Sequence, residues 1–232
     1  LETAKGQTFR WSGSYHGDMN QAQTHDTRLN VFERFHPKLG PAHRNSTHLF
    51  LANIHPALQR EVIAAMGAPK AIGCDTMNFW ITGARAELLK TMRRVDIMFL
   101  NDAEARQLSG QANLVAAAAK VRALGPKILV IKKGEHGAML FSRYGVFAIP
   151  ALPLARVVDP TGAGDSFAGG FMGYLASQGR ISDAVLRRAM VYGSVMASFN
   201  VEKFSLDRLK TLTKPEIRAR FNQFRRLSQF PA

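Results

Sequence analysis

The sequence predicts an α/β fold: a three-layer α/β/α sandwich around a mainly parallel central sheet. Two observations predict it. From His48 onward, short apolar runs alternate with segments of helical, amphipathic period, the pattern of a parallel sheet covered on both faces. The chain has 232 residues, 46% of them apolar, which is ample for one large core and excludes intrinsic disorder.

The elements follow in order. Residues 9–15 alternate as a strand would, and a second such run covers 27–35. The polar stretch 16–26 between them reads as an exposed loop. Six of the seven histidines fall between His16 and His55, without metal-ligand spacing, and read as surface or loop residues. Strands are expected at 48–53, 70–75, 96–100 and 127–132, with helices at 57–66, 84–92, 102–108 and 114–124. Two short strands at 138–142 and 146–149, joined through Arg143-Tyr144-Gly145, suggest a hairpin. Beyond Val158 the chain reads as helical: 163–177, 182–200 and a basic helix from Lys214. In the first of these, Phe167, Phe171 and Leu175 form a core stripe. Val185, Ala189, Tyr192, Met196 and Phe199 form another in the second. The chain shows no internal repeat and no low-complexity linker. It divides into a partial β-lid segment at 1–36 and an α/β core at 37–232.

Composition narrows the function classes. No apolar run approaches the length of a membrane span, and no N-terminal segment reads as a secretory signal. A lone Cys74 fits a reducing, cytoplasmic setting. Thirty-one Lys and Arg face 17 Asp and Glu, giving +14, so phosphates are attractive partners. The last thirty residues carry eight basic and two acidic residues, +6. A solvated helix face explains that charge better than a nucleic-acid footprint, since no zinc-finger spacing or RNP-like motif accompanies it.

In parallel α/β sheets, ligands sit at the carboxyl ends of the strands. This makes Asn53, Asp75, Asn78, Asn101, Glu104, Lys132 and Asp159 the candidates for a site. The most informative stretch is Asp159-Pro-Thr-Gly-Ala-Gly-Asp165-Ser-Phe-Ala-Gly-Gly170. A glycine-rich turn opens a helix there, and a helix N-terminus exposes unpaired N–H groups and a partial positive charge. Phe167 stands where a dinucleotide fingerprint needs its third glycine, and no Gly-Lys-Ser/Thr of a Walker loop occurs. A carboxylate beside a phosphate cradle repels the ligand. Asp165 is therefore either a helix-capping residue or a base that removes a proton from a hydroxyl attacking the phosphate.

The company of this stretch resembles the ribokinase-like (PfkB) carbohydrate kinase family. The full run from Asp159 to Gly170 is similar to the family's C-terminal signature. Asn101-Asp-Ala-Glu104 matches its NxxE motif, and Ile131-Lys-Lys-Gly134-Glu-His-Gly137 resembles its nucleotide-site strand and turn. The resemblance covers 9–200 and implies a ribokinase-like sandwich with a small β lid. It further implies an ATP-dependent, Mg²⁺-requiring kinase acting on a sugar or sugar-like alcohol. A nucleoside kinase of the same fold and a non-catalytic binding module remain open.

The implied roles are specific. Asp165 would be the base, and the amides around Gly162, Ala163 and Gly164 the anion hole. Asn101 and Glu104 would organise Mg²⁺ through its water shell, although Asn followed three residues later by Glu is also a capping pattern. Lys132, Gly134, Thr161 and Ser194 would serve the nucleotide. Asp159 would serve a monovalent cation such as K⁺. The acceptor side would be Arg10 and Asn20 on the lid, with Asn53, Asp75 and Asn78. Family members begin with a further βαβ region, which the chain is expected to lack. The uncovered lid or sheet edge is then a place for a second copy, giving a homodimer.

Overall fold

The computed structural model describes residues 3–17, 19, 22–227 and 229; Asn20 lies outside them. Strands β1 (Arg10–Tyr15) and β2 (Ala22–Arg28) form an antiparallel two-stranded ribbon. The expected strand at 27–35 is thereby corrected. The end of the presumed loop, residues 22–26, belongs to β2, and the later part of the expected strand is a 3₁₀ turn, Asn30–Arg34. Asn30 enters the left-handed region at φ 51°, which stops the strand. The sequence Ala22–Arg28 has no apolar alternation because nearly every residue of the strand is exposed.

A six-stranded sheet forms the body. Its strands are β3 (His48–Leu51), β4 (Ala71–Asp75), β5 (Ile97–Asn101), β6 (Ile128–Lys132), β7 (Ala138–Ser142) and β8 (Gly145–Ile149), in spatial order as in sequence. β3 to β6 are parallel, and β7 and β8 complete the sheet as the expected antiparallel hairpin.

Helices cover both faces. Ile97 and Phe99 of β5 face one core, with Val130, Phe167, Phe171, Leu186 and Phe199. This face is covered by α7 (Ala163–Gln178), α8 (Asp183–Asn200) and α9 (Lys214–Leu227). Met98 and Leu100 face the other core, with Ile63, Leu88, Leu108 and Val121. That core belongs to α2 (Pro56–Ala65), α4 (Arg85–Met92), α5 (Asp102–Ser109) and α6 (Leu114–Ala123). Successive β5 side chains thus enter opposite cores, which is why the parallel strands read as unbroken apolar runs.

Two short helices, α1 (Pro41–Arg44) and α3 (Asn78–Gly83), were not signalled by periodicity. Each is too short to show a helical stripe. The apolar pair Val157-Val158 before Asp159 forms no strand. Instead the Val158 N–H donates to the Val201 carbonyl at the end of α8 (2.8 Å). The stripes behave as expected: Phe167, Phe171 and Leu175 are buried, and Tyr192 stacks between Tyr174 and Phe221 at 4.6 and 4.8 Å.

Candidate active site

The parallel strands deliver their last residues to one edge of the sheet. In register, Asp75 of β4 pairs with Phe99 of β5, and Asn101 of β5 with Lys132 of β6. The first turn of α7 comes up beside them, so residues up to 90 positions apart share one site.

Gly162 caps α7 in a left-handed conformation, φ 79°, where a side chain would be strained. The Ala163 N–H is donated to the Pro160 carbonyl (3.1 Å). Gly164 and Asp165, as second and third residues of the helix, keep N–H groups with no intrahelical acceptor. The turn is held from behind by Asn200. Its Nδ2 donates to the Thr161 carbonyl (2.8 Å) and its Oδ1 accepts from the Ser166 hydroxyl (2.9 Å). Asn200 is 1% exposed. Sequence reasoning passed over this residue, whose one signal is a polar side chain ending the apolar stripe of α8.

Lys132 lies across this turn. Its Nζ donates to Asp75 Oδ2 at 2.9 Å, with both side chains largely buried. A Cβ placed on Gly164 would stand 2.9 Å from that same Nζ. Asp75 Oδ1 accepts the Thr76 N–H at 2.8 Å. Burial works to lower the Lys132 pKa. The charge and hydrogen bond of Asp75, helped by Glu104 and Asp165, outweigh it and hold the ammonium above its ordinary value. Burial, and then the Asp75 charge, push the Asp165 carboxyl up, with Lys132 opposing.

Asn101 and Glu104 form a reciprocal capping box on α5. The Glu104 N–H donates to Asn101 Oδ1 (2.7 Å), and the Asn101 N–H to Glu104 Oε2 (2.8 Å). The capping role of this pair is therefore realised. Burial drives Glu104 up to about 7, against its bond from Asn101, with Asp75 adding to the rise and Lys132 opposing it. Hard oxygen donors suited to Mg²⁺ are thus present in Glu104, Asn101 and the neighbouring carboxylates. Among the described residues no three acidic, His or Cys side chains form a direct metal cage. The donor set fits an ion that keeps most of its waters.

The other candidates are placed differently. Asp159 accepts the Thr161 N–H at Oδ1 (2.9 Å) and the Ser205 N–H at Oδ2 (3.0 Å). These bonds hold its pKa low against the opposing effect of burial. Gly134 opens the 3₁₀ turn after β6, and Ser194 is buried in α8. Asn53 accepts from Trp80 Nε1 (2.8 Å) and donates to Met77 Sδ (2.9 Å), so it secures α3, which begins at Asn78. Arg10 is exposed at the start of β1. The lid reaches the turn through Tyr15, whose hydroxyl is 3.3 Å from Thr161 Oγ1. A cavity of about 640 Å³ lies between them, lined by Trp11, Tyr15, Thr161, Gly162, Asp165 and Asn200 among others.

A glycine turn opening a helix at the carboxyl ends of a parallel sheet, beside buried charges, is an arrangement that suits a phosphate-bearing ligand. Comparison with known proteins makes this specific. The model of the pfkB family carbohydrate kinases matches residues 43–210, most of the chain, and the chain belongs to that family. Its fold is ribokinase-like. A nucleoside kinase structure from Methanocaldococcus jannaschii superposes with a TM-score of 0.72 over 95% of this chain and 70% of its own, at 18% identity. A fructokinase structure from Vibrio cholerae gives 0.74 over 94% and 75%, at 15% identity. Both likenesses speak to fold alone.

Among curated relatives, a cytidine kinase of Thermococcus kodakarensis is 41% identical over 108 residues, 44% of this chain and 37% of the relative. A 2-dehydro-3-deoxygluconokinase of Thermoproteus tenax is 34% identical over 137 residues, 59% of this chain and 35% of the relative. The matched region spans little more than a third of these two relatives. Among the described residues, no helix is long and apolar enough to cross a membrane.

Proposed function

We propose that the chain supplies the nucleotide and phosphoryl-transfer machinery of an ATP-dependent kinase whose acceptor is a hydroxyl of a sugar or sugar-like alcohol. The observation that carries this reading is the placement of Asp165 on the first turn of α7, beside free helix N–H groups and the Lys132 ammonium. A second reading, a nucleoside acceptor, is favoured by the cytidine kinase relative.

In the proposed reaction the acceptor hydroxyl gives its proton to the Asp165 carboxylate, and its oxygen bonds to the γ-phosphorus. The bond from that phosphorus to the β,γ-bridging oxygen breaks, and ADP leaves with the electron pair. The raised Asp165 pKa makes it a better base than a solvated carboxylate. The N–H groups of Gly164 and Asp165 and the Lys132 ammonium face the charge that builds on the phosphoryl oxygens. Glu104 and Asn101 are the residues to hold Mg²⁺ through water, and when bound the ion neutralises the phosphates.

The test is ADP release from Mg-ATP across a panel of sugars and nucleosides, with Asp165→Asn as the blank. Release that depends on one acceptor and on Asp165 is expected. Acceptor-dependent release that survives in Asp165→Asn defeats the base assignment. A flat panel alongside intact nucleotide binding favours a binding module instead.

A further inference from the structure

The family resemblance places Asp75 among the expected acceptor-side residues. Its contacts point elsewhere. Both carboxylate oxygens are engaged, one by the Thr76 N–H and the other by Lys132, and the residue is 5% exposed. An acceptor ligand would have to displace a buried ion pair to reach it. The bond to Lys132 also has a geometric consequence. The ammonium occupies the space that a side chain at residue 164 would fill. Gly164 has no positive φ and needs no glycine for its backbone conformation. Its close neighbour is the end of the Lys132 side chain, which a methyl group at 164 would push aside.

We propose that Asp75 is a positioning residue of the nucleotide half, holding the Lys132 ammonium across Gly164 at the turn where the transferring phosphoryl group arrives. This inference rests on the kinase reading above. Asp75 lies on β4, Lys132 on β6 and Gly164 on α7, so the pair ties the two sides of the site together. The charges of Glu104 and Asp165 also attract the ammonium, and a fixed partner keeps it from settling on them. Asp75 is that partner, its own carboxylate fixed by the bond from Thr76 N–H.

A double-mutant cycle on the full chain tests this, read by the affinity for a non-hydrolysable Mg-ATP analogue without acceptor. Asp75→Asn alone has two opposing effects: it removes a negative charge near the phosphates and it releases the ammonium. The proposal requires the second to dominate. Lys132→Met is expected to weaken the analogue about tenfold, Asp75→Asn about fivefold, and Asp75→Asn in the Lys132→Met background less than about twofold more. Gly164→Ala, which leaves both charges in place and displaces only the ammonium, serves as the second background should Lys132→Met fail to fold.

In turnover with the acceptor found above, the KM for Mg-ATP or kcat carries the Asp75→Asn change and the acceptor KM stays within about twofold. Tighter analogue binding by Asp75→Asn, additive losses in the cycle, or a change confined to the acceptor KM would each overturn the role. Failure of the parent chain to bind the analogue would overturn the nucleotide reading itself, and this role with it.

Discussion

At the carboxyl ends of β4 to β6 one ammonium, Lys132, faces three carboxylates, Asp75, Glu104 and Asp165. At the end of α8 two guanidinium groups, Arg208 and Arg220, face two carboxylates, Glu202 and Glu216. The first cluster is buried and short of positive charge, and Glu104 is driven up to about 7. The second is balanced, and hydrogen bonds from Thr213 and then Arg208 pull Glu216 down to about 2. Both arginines also lie over the Phe199 ring, at 4.8 and 3.4 Å from its centre. Carboxylates are destabilised where cations are missing and stabilised where they are matched. A fold tolerates the first arrangement where a ligand completes it, and uses the second to fasten a helix.

The largest expected effect belongs to the unbalanced cluster. Asp165→Asn should lower kcat by about 10³-fold, in the usual range for a positioned base, while Mg-ATP analogue affinity is unchanged or tighter. Analogue affinity that falls in parallel with kcat would make Asp165 part of the binding surface. The chain would then lose the contrast between a reactive and a fastening cluster.

The next effect is on stability, measured with a chelator present. The Glu104 pKa is raised from 4.5 in the unfolded chain to about 7 in the folded one. Its contribution is therefore fully present below pH 4.5 and lost as pH rises through about 7. By linkage this amounts to about 3 kcal/mol. Denaturant midpoints should fall between pH 5 and 8, and Glu104→Gln should flatten that fall. A slope that persists in Glu104→Gln would place the strain on another group.

Much of this was legible in the chain and some was not, for definite reasons. The parallel strands were legible because Ile97–Leu100 and Ile128–Ile131 are buried on both faces and leave unbroken apolar runs. β2 was not, because an exposed ribbon has no inward face to mark. The Gly162–Asp165 turn and the Asn101–Glu104 box are local, with partners within a few positions, so short stretches of sequence carry their signal. The Lys132–Asp75 pair spans 57 positions and the Asn200 bond to Thr161 spans 39. Only the sheet order and the α7–α8 packing bring those partners together. Single residues announce chemistry; their pairing is a property of topology.

Breaking the balanced cluster should cost less. Arg220→Ala removes the bond to Glu202 and the stacking on Phe199, with a side chain only 15% exposed. About 2 kcal/mol is expected, or about 4–8 °C in Tm for a chain of this size. The effect should appear without a matching change in analogue affinity. A loss of affinity would mean that α9 acts on the anion turn through Asn200, two residues before Glu202.

The smallest effect sharpens the same contrast. Lys210 and Asp207 form an ion pair at 3.6 Å with side chains 68% and 61% exposed, a few residues from Arg208 in sequence. Water already solvates both charges, so the pair gains little from closeness and is screened by salt. Lys210→Ala should shift stability by less than about 0.5 kcal/mol at ordinary ionic strength. Thermal unfolding of this variant beside Arg220→Ala separates charge count from charge placement. Equal losses would mean that the net charge of the tail, and not the enclosed arginine, holds α9 in place. The expected fourfold difference instead assigns the fastening to burial and to the ring beneath the guanidinium.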